Sequence, residues 1–367
     1  MTATEQDESP RVGDLLAYIG CRTTKERNAR GEGVTVCRID AASGRWEKIQ
    51  LLAGLVNPSF LAFDRSGRFL YAVHGDGDTV SSFSVDPANG RIEFLNRQCT
   101  RGRNPVHLVA DSASRFLVVT NHLGSSLAVL PIGTDGALGE VTDIVTVEGR
   151  LGPHRTEQAQ AKPHQAEFDR SGRFLVVPDK GLDRVFSFRL RDDGRLVPAE
   201  RPSVAAREGS GPRHVAFHPT LARAYVVNEL DSTVTAYAYD SATGALAPLQ
   251  IVPSLPPNFT GNSRAAEIAV SPDGRFLYAS NRGFDSLAMF PVDPISGWLG
   301  ESHWSNTGGR TPRFFAIDPT GRSLHVANED SDSIVSFAID AATGRLVPTG
   351  QGIATGSPVC IVFRRLR

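Results

Sequence analysis

The amino-acid sequence predicts an all-β fold, a seven-bladed β-propeller whose ring is closed by strands from both termini. Three observations lead there. One pattern recurs six times, beginning at Asn57, Asn104, Lys162, Gly211, Arg264 and Thr311. Each copy consists of short alternating runs punctuated by turns such as "SPDGR" and "D..TG.L", at a period of roughly 45–60 residues, which is the signature of a propeller blade. The pieces left over at the two ends complement each other to make a seventh copy.

The elements follow in chain order. Residues 1–13 are expected to be a flexible tail. "LAYIGCR" and "VTVCRIDAASGRW" match the second and third runs of a blade, and "SPVCIVFRR" at the other end matches only the first. Joining them closes the ring and removes open sheet edges. Seven blades account for nearly the whole chain, so 1–367 reads as a single domain. The longest insertion, "EGRLGPHRTEQAQAK", is a loop before the third copy.

Composition narrows the function. Of 367 residues, 40% are hydrophobic and 22% charged, ordinary for a soluble globular protein. The formal net charge is −1, so there is no global basic field to attract nucleic acid or an anionic membrane. No run reaches the roughly 20 apolar residues of a membrane span, and the N-terminus has no apolar signal core. The four cysteines, Cys21, Cys37, Cys99 and Cys360, are far apart and form no CxxC. That suggests neither a zinc site nor a redox motif. The reading is a cytoplasmic protein with reduced thiols, no metal and no cofactor. Composition does not address the oligomeric state.

Function is expected at one mouth of the channel. In a blade the first run is innermost and the second pairs with it antiparallel, so the start of the first and the end of the second lie together. Seven such corners surround one mouth. Turn chemistry elsewhere is alike between copies, but the corners differ in charge. At the strand starts stand His164, Arg213, His214, Glu267 and Arg313, and at the second-strand ends Arg22, His122, Lys180, Glu229, Arg282 and Glu329. A purely structural corner would tolerate one residue throughout.

Plainer roles compete for several of these. His218, in "FHP" at the opposite end of its hairpin, reads as a turn residue. The recurring Asn121, Asn228, Asn281 and Asn328 read as corner hydrogen-bonders. Neighbours along a strand face opposite sides, so only one of Arg213 and His214 is expected to line the channel. A Glu229–Arg282 pair would be a simple inter-blade salt bridge, and Glu329 a solvated rim charge. For Arg22, Lys180 and His122, surface and functional roles are equally open. The candidates retained are His164, Arg213, Glu229, Glu267, Arg282 and Arg313.

"GPRHVAFHP", "YVVNELDSTV", "AEIAVSPDGRFLYASNRG" and "D.ATGRLVP" together resemble the seven-bladed propeller lactonase family over nearly the whole chain. That family includes propeller-type 6-phosphogluconolactonases and 3-carboxy-cis,cis-muconate lactonizing enzymes. The resemblance implies a site made from the histidine of "PH", the arginine of "PRH", the glutamate of "NE" and the arginine of "NR". Here these are His164, Arg213, Glu229 and Arg282, positions the comparison of copies had already singled out. The chain departs from the family at Ala166, where some members have a second histidine, and at the basic segment 22–30, expected to reshape the mouth.

The resemblance implies a metal-independent lactonase, with 6-phosphogluconolactone as the expected substrate. Lactone hydrolysis requires an activated water and stabilisation of the developing oxyanion. Arginines hold carboxylate or phosphate bidentately, so Arg213, Arg282, Arg313 and Glu267 are read as substrate-binding, for an anionic small molecule. His164 and Glu229 are read as catalytic. Glu229 beside two arginines should have a lowered pKa, which makes His164 the better base. The alternatives are cycloisomerisation of a carboxylated muconate and a non-catalytic scaffold or binding propeller. A calcium-dependent gluconolactonase using the oxygens of Asp179, Asn228 and Glu229 is opposed by the blade count and the cationic corners.

Overall fold

Each copy of the repeat forms one four-stranded antiparallel sheet, because its runs are short, alternate in polarity and end in turn residues. In the computed structural model, which describes residues 14–366, seven such sheets form a ring around a channel. The six complete copies are blades 1 to 6 in chain order. The closing blade takes its innermost strand, Pro358–Arg365, from the C-terminal end and pairs it with Leu15–Cys21. Gly33–Ile39 and Trp46–Ala53 follow outward. Without Pro358–Arg365, Leu15–Cys21 would present an open edge to the channel. The expected tail, 1–13, lies outside the described residues.

The apolar core lies in the seams between blades. Tyr71, Val73 and Val80 of blade 1 pack with Leu108, Leu117 and Val119 of blade 2. Leu15, Ala17, Ile19 and Ile361 of the closing blade pack against Ala327 and Ile334 of blade 6. The seams are also latched by a repeated hydrogen bond. A second-strand tyrosine donates its hydroxyl to the carbonyl of the turn glycine in the next blade: Tyr18 to Gly90 at 2.7 Å, Tyr225 to Gly297 at 2.8 Å and Tyr278 to Gly344 at 2.7 Å. Those three glycines have φ between 70° and 74°, a conformation that glycine adopts without steric cost. In these three blades the turn glycine is thus bound by its neighbour.

At the mouth end of the innermost strands the pairing slips. In blade 4, Pro212 pairs with Asn228 and His214 with Val227, leaving Arg213 as an extra residue. The same shift occurs in blades 1, 2, 5 and 6 and in the closing blade. Such a bulge bends the strand and re-aims its side chains. Blade 3 departs further, with an innermost strand of only Glu167–Phe168 preceded by an isolated bridge between Pro163 and Asp179.

If the closing seam is a core like the others, Ile361→Ala should cost roughly 2–5 kcal/mol, the range for truncating a buried aliphatic side chain. Urea denaturation measures this as a lower midpoint. An unchanged midpoint would mean that the C-terminal strand does not hold the ring shut.

Candidate active site

The corners of blades 3, 4 and 5 deliver most of the candidate residues to one place. His164 leads into the short inner strand of blade 3. Arg213 and His214 start the inner strand of blade 4, and Glu229 follows its second strand, Arg223–Asn228. Glu267 lies within the inner strand of blade 5, Arg264–Val270, and Arg282 ends its second. His164, Arg213, His214, Glu229 and Glu267 are all buried. Sequence alternation allowed only one of Arg213 and His214 to line the channel. The bulge at Arg213 breaks the alternation between them, and both join the same cluster: Arg213 reaches Glu229, and His214 reaches His164 and Glu267.

Glu229 is the hub of the cations. Its Oε2 lies 3.1 Å from Arg213 Nε and 3.2 Å from Arg282 Nη2, and its Oε1 lies 3.1 Å from Lys180 Nζ. Arg213 Nη1 also donates to the carbonyl of Ala266, and Arg282 Nη2 to that of Ala265 at 3.1 Å. Burial alone would raise the pKa of Glu229. Arg282, Lys180 and Arg213 overcome that and hold it well below the ordinary carboxylate range. Burial, with Arg282 and Arg313 nearby, pulls Arg213 down to about 9, so it stays charged at neutral pH. The expected Glu229–Arg282 bridge therefore exists, as one spoke of a larger cluster. Arg313 sits at the edge, 4.0 Å from Glu329.

The histidines form a second group. His164 Nδ1 is 3.1 Å from His214 Nε2, and His214 Nδ1 is 2.9 Å from Glu267 Oε1. The ring of His122 lies edge-on to that of His164, 5.0 Å between centroids, with Nδ1 bonded to the carbonyl of Pro163. Burial first, then Arg213, holds His164 and His214 well below the usual imidazole value. Both rings are neutral at pH 7.

Residues outside the six candidates also belong here. Glu157, on the insertion before blade 3, bridges Lys180 Nζ at 3.0 Å and Arg264 Nη1 at 2.7 Å. Arg264 in turn lies 3.5 Å from Glu229. Lys180 was visible as a corner charge, but its partner was not. Nothing in the sequence locates a loop glutamate over a particular corner, beyond the insertion being the longest. Beside these residues opens a depression of about 620 Å³, lined by His154, Arg264, Arg282 and Thr311 among others. Lys180, Arg213, Arg264, Arg282 and Arg313 face the carboxylates of Glu157, Glu229 and Glu329. The mouth is therefore left with a cationic surplus suited to an anionic ligand.

Several corner residues have structural duties. Asn228 Nδ2 donates to Thr233 and Thr235, and Asn281 Nδ2 to the carbonyl of Ser254 at 2.8 Å. His218 Nε2 binds the carbonyl of Gly274, and its Nδ1 accepts the backbone N–H of Leu221. Arg22 is buried 3.4 Å from Asp76, which Arg27 also pairs with, and Arg30 pairs with Asp332. The basic segment 22–30 is thus pinned to the flanking blades. The Asp179 carboxylate accepts backbone N–H groups of Lys162, Gly181 and Leu182. Of the three oxygen donors considered for calcium, Asp179 is thus held by backbone, Asn228 by Thr233 and Thr235, and Glu229 by Lys180, Arg213 and Arg282. Among the described residues, no three His, Cys, Asp or Glu are grouped to hold a metal ion, and no helix is long and apolar enough to cross a membrane.

Comparison with known proteins places this geometry in context. Residues 16–363 match the family model described as "Lactonase, 7-bladed beta-propeller". A 6-phosphogluconolactonase of Bacillus subtilis is 34% identical over 353 residues, covering 95% of this chain and 99% of that protein. A 6-phosphogluconolactonase of Formosa agariphila is 32% identical, covering 81% and 85% respectively. The solved structure of a periplasmic gluconolactonase of Pseudomonas aeruginosa superimposes with a TM-score of 0.89 at 31% identity, over 96% of this chain and all of that one.

Removing the hub carboxylate strands three cations in a buried site. Glu229→Ala is expected to cost about 3–5 kcal/mol, as when one partner of a buried ion pair is deleted. Glu329→Ala, at a partly exposed and looser pair, should cost less than about 1 kcal/mol. Urea unfolding of the two variants compares them directly, and equal costs would remove Glu229 from the centre of the cluster.

Proposed function

Since the chain belongs to the seven-bladed β-propeller lactonase family, we propose that it hydrolyses 6-phosphogluconolactone to 6-phosphogluconate without a metal cofactor. The observation that carries the choice of an anionic lactone is the cationic surplus around Glu229, next to a neutral, buried His164. Two relatives named 6-phosphogluconolactonase support the phosphorylated substrate. The cytoplasmic setting belongs to the same proposal and is supported by four free thiols, three of them buried.

In this reading Arg282 and Arg264, which border the depression, hold the phosphate, and the lactone carbonyl points toward Arg213. Water adds to the carbonyl carbon as His164 takes its proton, and the guanidinium N–H groups stabilise the oxyanion as it forms. His164 is neutral and so has a free lone pair to offer. Glu229 is too strongly held in its ionised form to be an effective base at neutral pH. Its role is to fix Arg213, Arg282 and Lys180 in position. Arg313 adds positive potential at the rim, and Glu267 acts behind the histidines.

The test is a panel of phosphorylated and unphosphorylated sugar lactones together with carboxymuconolactone, assayed with and without EDTA. The phosphorylated sugar lactone should be turned over best, and chelation should not matter. Arg282→Ala should mainly raise KM, because it removes binding common to ground and transition states. His164→Ala should lower kcat by about 10²–10⁴-fold with circular dichroism unchanged. Turnover of the muconolactone alone, or loss of activity on chelation that calcium restores, would overturn the proposal.

A further inference from the structure

A base must put its proton somewhere, and the imidazoles here are poor places to leave one. An imidazolium at His164 would be cut off from water and would face Arg213 and Arg313; burial first, then Arg213, holds both His164 and His214 well below the usual value. A better acceptor stands at the end of a hydrogen-bonded chain. From His164 in blade 3 the chain passes to His214 in blade 4 at 3.1 Å, and from there to the Glu267 carboxylate in blade 5 at 2.9 Å. All three side chains are buried, and His164 Nε2 has no hydrogen bond among the described residues.

We propose that Glu267 is the proton store of the site, and that His214 and His164 are a two-ring relay carrying one proton between Glu267 and the substrate's oxygens. This rests on the reading of His164 as the base. With Glu267 ionised, its oxygens accept from His214 Nδ1–H, His214 Nε2 accepts from His164 Nδ1–H, and His164 Nε2 presents a lone pair. When water attacks, the new C–O bond forms from the water's electron pair, and the carbonyl π pair moves to oxygen. One water proton passes to His164 Nε2. The His164 Nδ1 proton passes to His214 Nε2, and the His214 Nδ1 proton to Glu267. The relay ends with two neutral rings of opposite tautomer and a neutral carboxylic acid. On collapse the bond from the carbonyl carbon to the ring oxygen breaks. That oxygen takes the proton from His164 Nε2, and the chain runs back to regenerate the carboxylate. The second water proton leaves with the product's carboxyl group. No step needs a buried imidazolium.

The surroundings of Glu267 suit a group that gains and loses a proton near neutrality. Burial raises it most, and Arg213, the backbone N–H of Ile268 at 3.0 Å and Arg313 pull it back, leaving it at about 7. The other titratable groups facing it are Glu167 of blade 3, pushed up to about 7 by burial and by Glu267, and the Cys360 thiol of the closing strand, which burial keeps protonated. His107 lies beside His214, 6.0 Å between ring centroids, and burial keeps it neutral. Above about pH 7 Glu267 is ionised and the relay faces the substrate as a base. Below it, the protonated acid reverses the chain, and His164 Nε2 carries a hydrogen and cannot accept one.

Two measurements test this. Nitrogen NMR of the isotopically labelled wild-type protein should find His164 as the Nδ1–H tautomer well above neutrality and as the Nε2–H tautomer well below it. In kinetics, wild-type kcat should rise with pH along a limb centred near 7. Glu267→Gln should lose that limb and about 10²-fold or more in kcat, and Glu267→Asp should restore part of both. A His164 that keeps the Nε2–H tautomer above neutrality would overturn the relay, and so would a Glu267→Gln enzyme with unchanged kcat and limb. If the Glu267 variants do not fold, the wild-type tautomers alone decide. Loss of activity in His164→Ala with none in Glu267→Gln defeats the relay and leaves the base standing. Full activity in His164→Ala defeats the base as well.

Discussion

In an unbroken strand Arg213 and His214 would point to opposite sides of the sheet, and the channel mouth would receive one of them. The bulge between Pro212 and His214 breaks that alternation, and both side chains join the corner cluster. Arg213 then closes on Glu229, and His214 closes on His164 and Glu267. The cation cluster and the histidine chain both depend on this one-residue slip. The chain is prepared for it: Gly211, just before Pro212, has a φ of 65°, a left-handed conformation that a side chain would disfavour. In blade 6 the equivalent residue is Thr311 at 59°, where the same corner is held at some backbone cost.

The electrostatics of the mouth divide into two parts with different tasks. Glu229 stays charged and keeps three cations in fixed positions. Buried ion pairs contribute little net stability, because desolvation offsets their attraction, but they specify geometry when every charge is matched. Glu267 has fewer cations near it and a buried setting, so it sits close to the point of changing charge. Two carboxylates on neighbouring blades are thereby driven apart in acidity, the usual arrangement where one must anchor and the other exchange a proton.

The rest of the molecule keeps these parts still. Apolar seams join each blade to the next, and tyrosine–glycine latches reinforce three of them. The insertion before blade 3 and the basic segment 22–30 are tied to neighbouring blades by ion pairs. A second cavity of about 530 Å³, between blade 6 and the closing blade, is lined by turn residues such as Asp40, Gly44 and Asp318. Its ionisable lining residues, Asp40, Asp318, Arg322, His325 and Arg365, include none of the corner candidates. A propeller frame by itself implies no chemistry. The lactonase reading comes from the family match, and the corners of three blades add the case for an anionic substrate.

The sequence by itself determined the ring. Period, turn residues and complementary end fragments are local patterns, so seven blades and their closure by Pro358–Arg365 were legible in it. The corner positions of His164, Arg213, Glu229 and Arg282 were legible too, because antiparallel pairing brings strand starts and strand ends together at every blade. The turn role of His218 and the hydrogen-bonding role of the corner asparagines follow from the same local chemistry. Only the tertiary structure decided which side chains meet. The register slip at Arg213 breaks the alternation there, since a bulge leaves no mark on polarity. Lys180, Glu157 and Arg264 join the site through a loop whose path the repeat does not encode. The approach of His164, His214 and Glu267 depends on how three blades pack side by side, and that spacing is set by seams contributed from the whole ring.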